Sequence, residues 1–304
     1  MLEKRDIFPL AIGTFGIGAN RCESAANACI VDKKSHNSDL KALRYSFEKG
    51  QNYIETSFIY GGGGTTMAFL KTFFNNIPRD KIFITVKIEM GATKPDDIEN
   101  QLDKYLCLMG LDYADSVLLH TPFVTIFPIE IAYEKLQEMV AKGKSRYISA
   151  SNLSPFQLKF AVEDMGINLF SFEGLYNLDT KINEDNGILD YCKQNNILFI
   201  AYQPLRRNRI AAGNHPELLE LSKKYDKTQN QILLNWLVKE KEIIPIIKTS
   251  NKQHIDDNIS ALNFKIAKED MNILNKFRNC EFDAIDVDWE NIGGIPIYKL
   301  PNQL

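Results

Sequence analysis

Short apolar runs alternate with longer amphipathic segments along the whole chain. Eight of the runs read as strands: PLAIG (9–13), NYIET (52–56), KIFITVK (81–87), DSVLLH (115–120), RYISAS (146–151), LFSFE (169–173), ILFIAY (197–202) and EIIPIIK (242–248). Each is short and apolar at consecutive positions, the pattern of parallel strands covered on both faces. Helical patterns fill the gaps between them. Ser38 or Asp39 is placed to cap a helix over 40–50, where Gly50 suits the stop. Pro95, followed by Asp96, Asp97 and Glu99, opens a helix running to Met109, and Ser154 with Pro155 opens another. Further helices are predicted over 188–195, 216–225, 229–239, 251–261 and 268–277. Strand–helix alternation repeated eight times predicts an α/β fold of the (β/α)8 TIM barrel type. An open doubly wound sheet usually needs roughly five or six strands.

No Gly/Pro/Ser-rich linker divides the sequence, so residues 1–304 read as one domain with extra helices. After residue 278 the pattern fades, yet Trp289, Ile295, Ile297 and Tyr298 are too apolar for a disordered tail. Residues 278–304 are therefore expected to form a C-terminal extension packed near the barrel mouth.

Charge narrows the partners. Lys and Arg total 36 against 39 Asp and Glu, a formal charge of −3, which gives no pull toward nucleic acid or an anionic membrane. No apolar run approaches the ~18 residues of a membrane-spanning helix, and the first residues lack a signal-peptide core. The five cysteines (Cys22, Cys29, Cys107, Cys192 and Cys280) have no CxxC spacing and suit free thiols in a reducing compartment. A soluble cytoplasmic protein is expected. Of His36, His120, His215 and His254, only His120 ends a predicted strand, so no metal site is expected.

The chemistry lies at the strand ends. Glu55 lies at the end of the second strand and Tyr60 five residues after it, Lys87 closes the third and His120 the fourth. In a barrel those ends converge on one mouth, so the four side chains can meet around one substrate atom. A tyrosine near pKa ~10 is a weak acid until a cation lowers that value, and Lys87 is the available cation. Glu55 can hold Lys87 charged, and His120 can donate to the same substrate oxygen. Such a group suits protonation of an oxygen that gains negative charge, as a carbonyl oxygen does during hydride transfer. The run Gly61 to Gly64 has no GK[ST] after it and reads as a permissive turn beside Tyr60.

These residues resemble the aldo-keto reductase family over essentially the whole chain. Its second-strand motif, N-F-I-D-T-A-x-x-Y-G, matches NYIETSFIYGG from Asn52. The resemblance implies Tyr60 as proton donor with Lys87 and His120 beside it, and it puts Glu55 where the family has Asp. It also implies nicotinamide binding on the barrel mouth without a Rossmann domain. GTFGIG (13–18) is similar to the family's first-strand element, which brings in Gly13, Thr14 and Phe15. Ser151 and Asn152 match the pair that holds the carboxamide. Glu173 stands where the family has Gln, and a negative charge there would favour the oxidised ring. Tyr202, in AYQPL with Gln203 and Leu205, matches the aromatic that stacks on the nicotinamide.

Arg206, Arg207 and Arg209 follow, either as a solvated surface or as a pyrophosphate clamp. IIPIIKTSNKQHIDDN (243–258) is similar to the adenosine-phosphate element. It implies Lys248, Thr249 and Asn251 around a 2′-phosphate and Asn258 on adenine, with Asp257 replacing Glu and His254 replacing Arg. NADPH is the implied preference, weakened by His254, with NADH possible.

The implied reaction is reversible reduction of an aldehyde or ketone. The alternative is a nicotinamide-binding regulatory or sensor subunit of the same fold, for which Glu55 and Glu173 leave room. Substrate choice is expected to rest on the segments after Lys87 and His120, on Arg206 and on the tail, with Phe123, Phe127 and Trp289 suited to an apolar carbonyl. The sequence leaves oligomeric state open.

Overall fold

The eight apolar runs become eight strands, each bounded within two residues of its predicted ends. The computed structural model describes residues 1–18, 33–89, 91–122, 125–213 and 215–278. The strands are β1 (Ala11–Gly13), β2 (Tyr53–Ser57), β3 (Phe83–Ile88), β4 (Ala114–Leu119), β5 (Ser145–Ser151), β6 (Leu169–Leu175), β7 (Leu198–Tyr202) and β8 (Ile244–Ile247). They pair in sequence order, all parallel, and β1 closes on β8 to complete a barrel. This is the (β/α)8 TIM barrel that the alternation predicts.

Both faces of the strands are buried, which is why their sequences are apolar at consecutive positions. Ile54, Ile84 and Val86 join the large cluster that holds the helix residues Leu70, Phe73, Leu102 and Leu106. The alternate residues Tyr53 and Phe83 belong to a second cluster with Phe170 and Ile244. There Tyr53 stacks on Phe83 at 5.2 Å and Phe83 on Phe170 at 4.4 Å. Next along the strands comes a polar layer: Thr85 donates to the Tyr53 hydroxyl, and Ser116, Ser149 and Ser171 form a hydrogen-bonded chain. The period of two along β3 therefore carries Phe83, then Thr85, then Lys87 toward the mouth.

Several helix starts follow from local chemistry. Ser154 and Gln157, and likewise Thr228 and Gln231, form reciprocal capping boxes. The expectation that Ser38 or Asp39 caps a helix is corrected: the helix runs Lys33–Glu48 and both residues lie inside it. The early turn, KKSHN, has no apolar face for periodicity to detect. The segment expected as one helix over 229–239 is α-helical over Gln229–Asn235 and continues as a π-helical turn over Trp236–Glu240. The tail expectation, with Trp289, Ile295, Ile297 and Tyr298, lies outside the described residues, as do Phe123, Cys22, Cys29 and Cys280.

Candidate active site

Lys87 stands in register with Ser57 of β2, one pleat above Glu55, at the end of β3. Its ammonium lies 2.7 Å from Glu55 Oε1 and donates to the Tyr60 hydroxyl at 3.3 Å and to Glu173 Oε1. Tyr60 in turn donates its proton to Glu55 Oε1 at 2.8 Å. The three ionic side chains are at most 3% exposed. Burying a charge this deeply is costly unless it is paired. Lys87 is paired twice: burial pulls its pKa down, but Glu173 and Glu55 together raise it well above the ordinary lysine value. It stays an ammonium ion. The sharing is less favourable for Glu173. Burial pushes its pKa up against the pull of Lys87, with Glu55 adding to the rise. Tyr60 is raised well above the ordinary phenol by burial and by Glu55, with Lys87 opposing, so it holds its proton firmly.

The turn after β2 delivers Tyr60. Gly61 to Gly64 all have positive φ, between 72° and 92°. At Gly64 an added Cβ would also meet the Phe58 ring at 2.7 Å and Leu108 at 2.9 Å. The glycines thus serve a tight turn packed under an aromatic ring, as their lack of a phosphate motif suggested.

His120 lies one residue beyond β4, and its ring is edge-on to Tyr60 with centroids 6.3 Å apart. Its Nδ1 lies 2.9 Å from both oxygens of Glu89, a residue the sequence reading did not select. Asn152, in the left-handed region at φ 58°, donates to the His120 carbonyl at 3.1 Å and to Ser151 Oγ at 3.0 Å. Tyr202, at the end of β7, donates to Asn152 Oδ1 at 2.9 Å. Glu173 pairs in register with Ser151. The structure thus joins Tyr60, Lys87, Glu55, His120, Ser151, Asn152, Glu173 and Tyr202 in one connected network at the strand ends.

A second group lines the mouth between β1 and β8. Gly13, Thr249 and Asn258 share a cleft with Ile12, Ile17 and Ile255. A Cβ at Gly13 would strike Ile246 Cγ2 at 2.6 Å, so β8 packs against β1 only because that position is glycine. Thr14 is fully buried and donates to the Glu55 carbonyl and to Thr56 Oγ1, both at 2.9 Å, which fixes β1 to the strand carrying Glu55. Phe15 is 42% exposed and edge-on to Tyr60 at 5.3 Å. Asn251 caps the helix Lys252–Ser260 by accepting from Gln253 N–H at 2.9 Å. Gln253 donates to Asp257 at 3.0 Å on the same helix, and His254 is exposed. Lys248 donates to Ser250 at 3.1 Å and lies 4.0 Å from Asp39. Asp39 also accepts from Gly18 N–H at 2.8 Å and from Ser250, so it ties the loop after β1 to the loop after β8. The sequence pattern suggests only a helix cap for Asp39.

The loop after β7 is strained. Gln203, Arg206, Arg207 and Asn208 all have φ between 45° and 70°, a region that non-glycine residues seldom occupy. Of its arginines, Arg206 reaches Asp179 at 3.0 Å, and Arg207 lies 5.4 Å from the centre of the Phe15 ring. Leu205 packs against the core.

The model of the Aldo/keto reductase family matches residues 9–279. Over 277 residues the chain is 28% identical to Aldo-keto reductase AKR2E4 of Bombyx mori, covering 84% of this chain and 87% of that one. It is 28% identical over 238 residues to the NADPH-dependent alpha-keto amide reductase of Saccharomyces cerevisiae, covering 71% and 72%. The crystal structure of the thermostable aldo-keto reductase Tm1743 with epalrestat is similar at a TM-score of 0.79 and 27% identity, covering 89% of this chain and 95% of that one.

Proposed function

Because this chain belongs to the aldo/keto reductase family, and is with it an NAD(P)H-dependent oxidoreductase, we propose that it reduces an aldehyde or ketone at Tyr60 with NADPH as the preferred reductant. The observation that carries the proposal is the contact set Tyr60–Glu55–Lys87, a phenol with a buried ammonium ion 3.3 Å from its oxygen.

When bound, the reduced nicotinamide supplies the hydride that goes to the carbonyl carbon. The C=O π pair then moves onto oxygen, and Tyr60 gives its proton to that oxygen to complete the alcohol. Lys87 offsets the charge left on the phenolate, while Glu55 and Glu173 keep Lys87 protonated. A substrate oxygen must compete with Glu55 for the Tyr60 proton, because the hydroxyl donates to Glu55 Oε1 at 2.8 Å. The product is a neutral alcohol, and Tyr60 regains a proton from solvent.

One buried atom supports a nicotinamide beside this group. Glu173 Oε2 is buried and has no hydrogen-bond partner, although its sister oxygen is held by Lys87. A buried acceptor left unpaired is costly, and a carboxamide NH₂ is a donor of the kind it lacks. Ser151 pairs with Glu173, Asn152 follows it and Tyr202 donates to Asn152; these three would share the carboxamide and ring. Gly13, Thr249 and Asn258 would hold the adenosine end. NADPH preference rests on the Lys248 ammonium, and it agrees with the cofactor in the name of the yeast relative. The intact Tyr60–Lys87 contact favours a turning-over enzyme over a sensor subunit.

The test is Tyr60→Phe assayed with NADPH on a panel of aldehydes and ketones. Reduction is expected to disappear while the NADPH dissociation constant stays within about threefold, since only a hydroxyl is lost. Turnover retained by Tyr60→Phe would remove Tyr60 as proton donor. A wild type inert on every carbonyl but binding NADPH tightly would replace the reductase reading with the sensor one.

A further inference from the structure

His120 is gripped by a carboxylate that the proposed reaction does not use. Glu89 follows β3 directly, two residues beyond Lys87, and its side chain is 8% exposed. Both its oxygens lie 2.9 Å from His120 Nδ1, and Ser57 donates to one of them. Its backbone is fixed as well: Glu89 N–H donates to Gln101 Oε1 at 3.0 Å, and Gln101 Nε2 donates to the Glu89 carbonyl at 3.2 Å. Tyr105 donates to the same Gln101 oxygen at 2.8 Å and so braces the amide.

An ionised carboxylate only accepts hydrogen bonds, so the imidazole atom facing it must carry a proton. That settles what the other nitrogen presents. With Nδ1 turned to Glu89, Nε2 is left for a substrate beside Tyr60. In the neutral ring Nε2 has a lone pair and can accept from an alcohol but cannot donate to a carbonyl. Only the imidazolium carries Nε2–H.

We propose that Glu89 is a positioning residue that locks the Nδ1–H form of His120, so that carbonyl reduction uses the imidazolium and alcohol oxidation uses the neutral ring. This rests on the reductase reading above. Reduction then falls, and oxidation rises, as pH rises through loss of one proton. The charged and titratable groups set against His120 are Glu89, just past β3, and Tyr60, after β2, with Glu173 of β6 within electrostatic reach. Asn152, just after β5, donates to the backbone carbonyl of His120.

The test is Glu89→Gln. Its amide can turn NH₂ toward Nδ1 and permit the neutral Nε2–H form. In ¹⁵N spectra of the full-length protein, with His120 assigned by its loss in His120→Asn, the wild-type neutral ring is expected as Nδ1–H. The variant is expected to shift toward Nε2–H. In kinetics, wild-type kcat for reduction should fall about tenfold per pH unit along the basic limb. Glu89→Gln should flatten that limb, and because Glu173 and Tyr60 are untouched, the difference isolates His120. Glu89→Leu, which offers Nδ1 neither donor nor acceptor, should also lose the Nδ1–H preference. A wild-type Nε2–H ring, or superimposable pH profiles in wild type and Glu89→Gln, would overturn the proposal. The spectra report on Glu89 even if no carbonyl substrate is turned over, so failure of the reductase reading is seen separately.

Discussion

Replacing Glu173 by Gln is expected to stabilise the protein. The buried cluster sets one cation, Lys87, against two carboxylates, and Lys87 keeps Glu55 at 2.7 Å when Glu173 becomes neutral. Two effects compete. At an effective dielectric of about 20, charges ~3 Å apart attract by roughly 5 kcal/mol, and the variant loses that attraction. Against this stand a penalty of several kcal/mol for burying the carboxylate, and repulsion from Glu55 of roughly 3 kcal/mol at ~5 Å. The unfavourable side wins, in keeping with the upward shift of Glu173 that burial imposes over the pull of Lys87. The amide oxygen can still accept from Lys87, so a gain of about 1–3 kcal/mol near pH 8 is expected.

The gain has a defined pH dependence. A carboxyl whose native pKa is raised above its unfolded value, near 4.5, favours folding while protonated and loses that benefit as pH rises through the native value. Wild type and Glu173→Gln should therefore converge toward acid pH and separate as pH rises. Urea unfolding followed by circular dichroism in steps between about pH 5 and pH 8 measures this directly. A variant less stable than wild type at pH 8, or a difference that does not widen with pH, would mean that the Lys87 attraction outweighs the cost of burying Glu173.

Other outcomes follow from the same contacts. Glu173→Gln also removes negative charge beside the proposed nicotinamide site, so its affinity for NADP⁺ relative to NADPH should fall about tenfold by fluorescence titration, a change of ~1.4 kcal/mol. Glu55→Asp withdraws the carboxylate by one methylene from the Tyr60 hydroxyl it now holds at 2.8 Å. Releasing a hydrogen bond to a charged acceptor, worth roughly 1.5–3 kcal/mol, should raise kcat for reduction several-fold, and a lower kcat at unchanged KM would contradict that. His254→Arg adds a permanent charge to the exposed face of the helix Lys252–Ser260, where NADPH should gain about tenfold over NADH in dissociation constant. Equal gains for the two cofactors would separate His254 from the 2′-phosphate.

The barrel was legible because parallel strands covered on both faces must be apolar at consecutive positions, and the eight runs had no other use. Tyr60, Lys87 and His120 were legible for the complementary reason: each is a polar group where an apolar run ends. Glu89 was harder to see, since it falls just past the run. The period of two that joins Phe83, Thr85 and Lys87 nevertheless extends to it. The grip of Glu173 on Lys87 joins residues 86 apart in sequence and exists only once the barrel closes. Asp39 was misread as a helix cap because the polar turn before it gave no periodic signal, whereas its carboxylate reaches across to the loops after β1 and β8.

Isotope transfer is the most direct test of carbonyl reduction at Tyr60. NADPH carrying deuterium at the transferred position of the nicotinamide would be supplied with an aldehyde or ketone that wild type consumes, and the alcohol analysed by mass spectrometry. Wild type is expected to leave one deuterium on the carbinol carbon, and Tyr60→Phe to give no labelled alcohol. Unlabelled alcohol from wild type, or equal labelling by Tyr60→Phe, would contradict it.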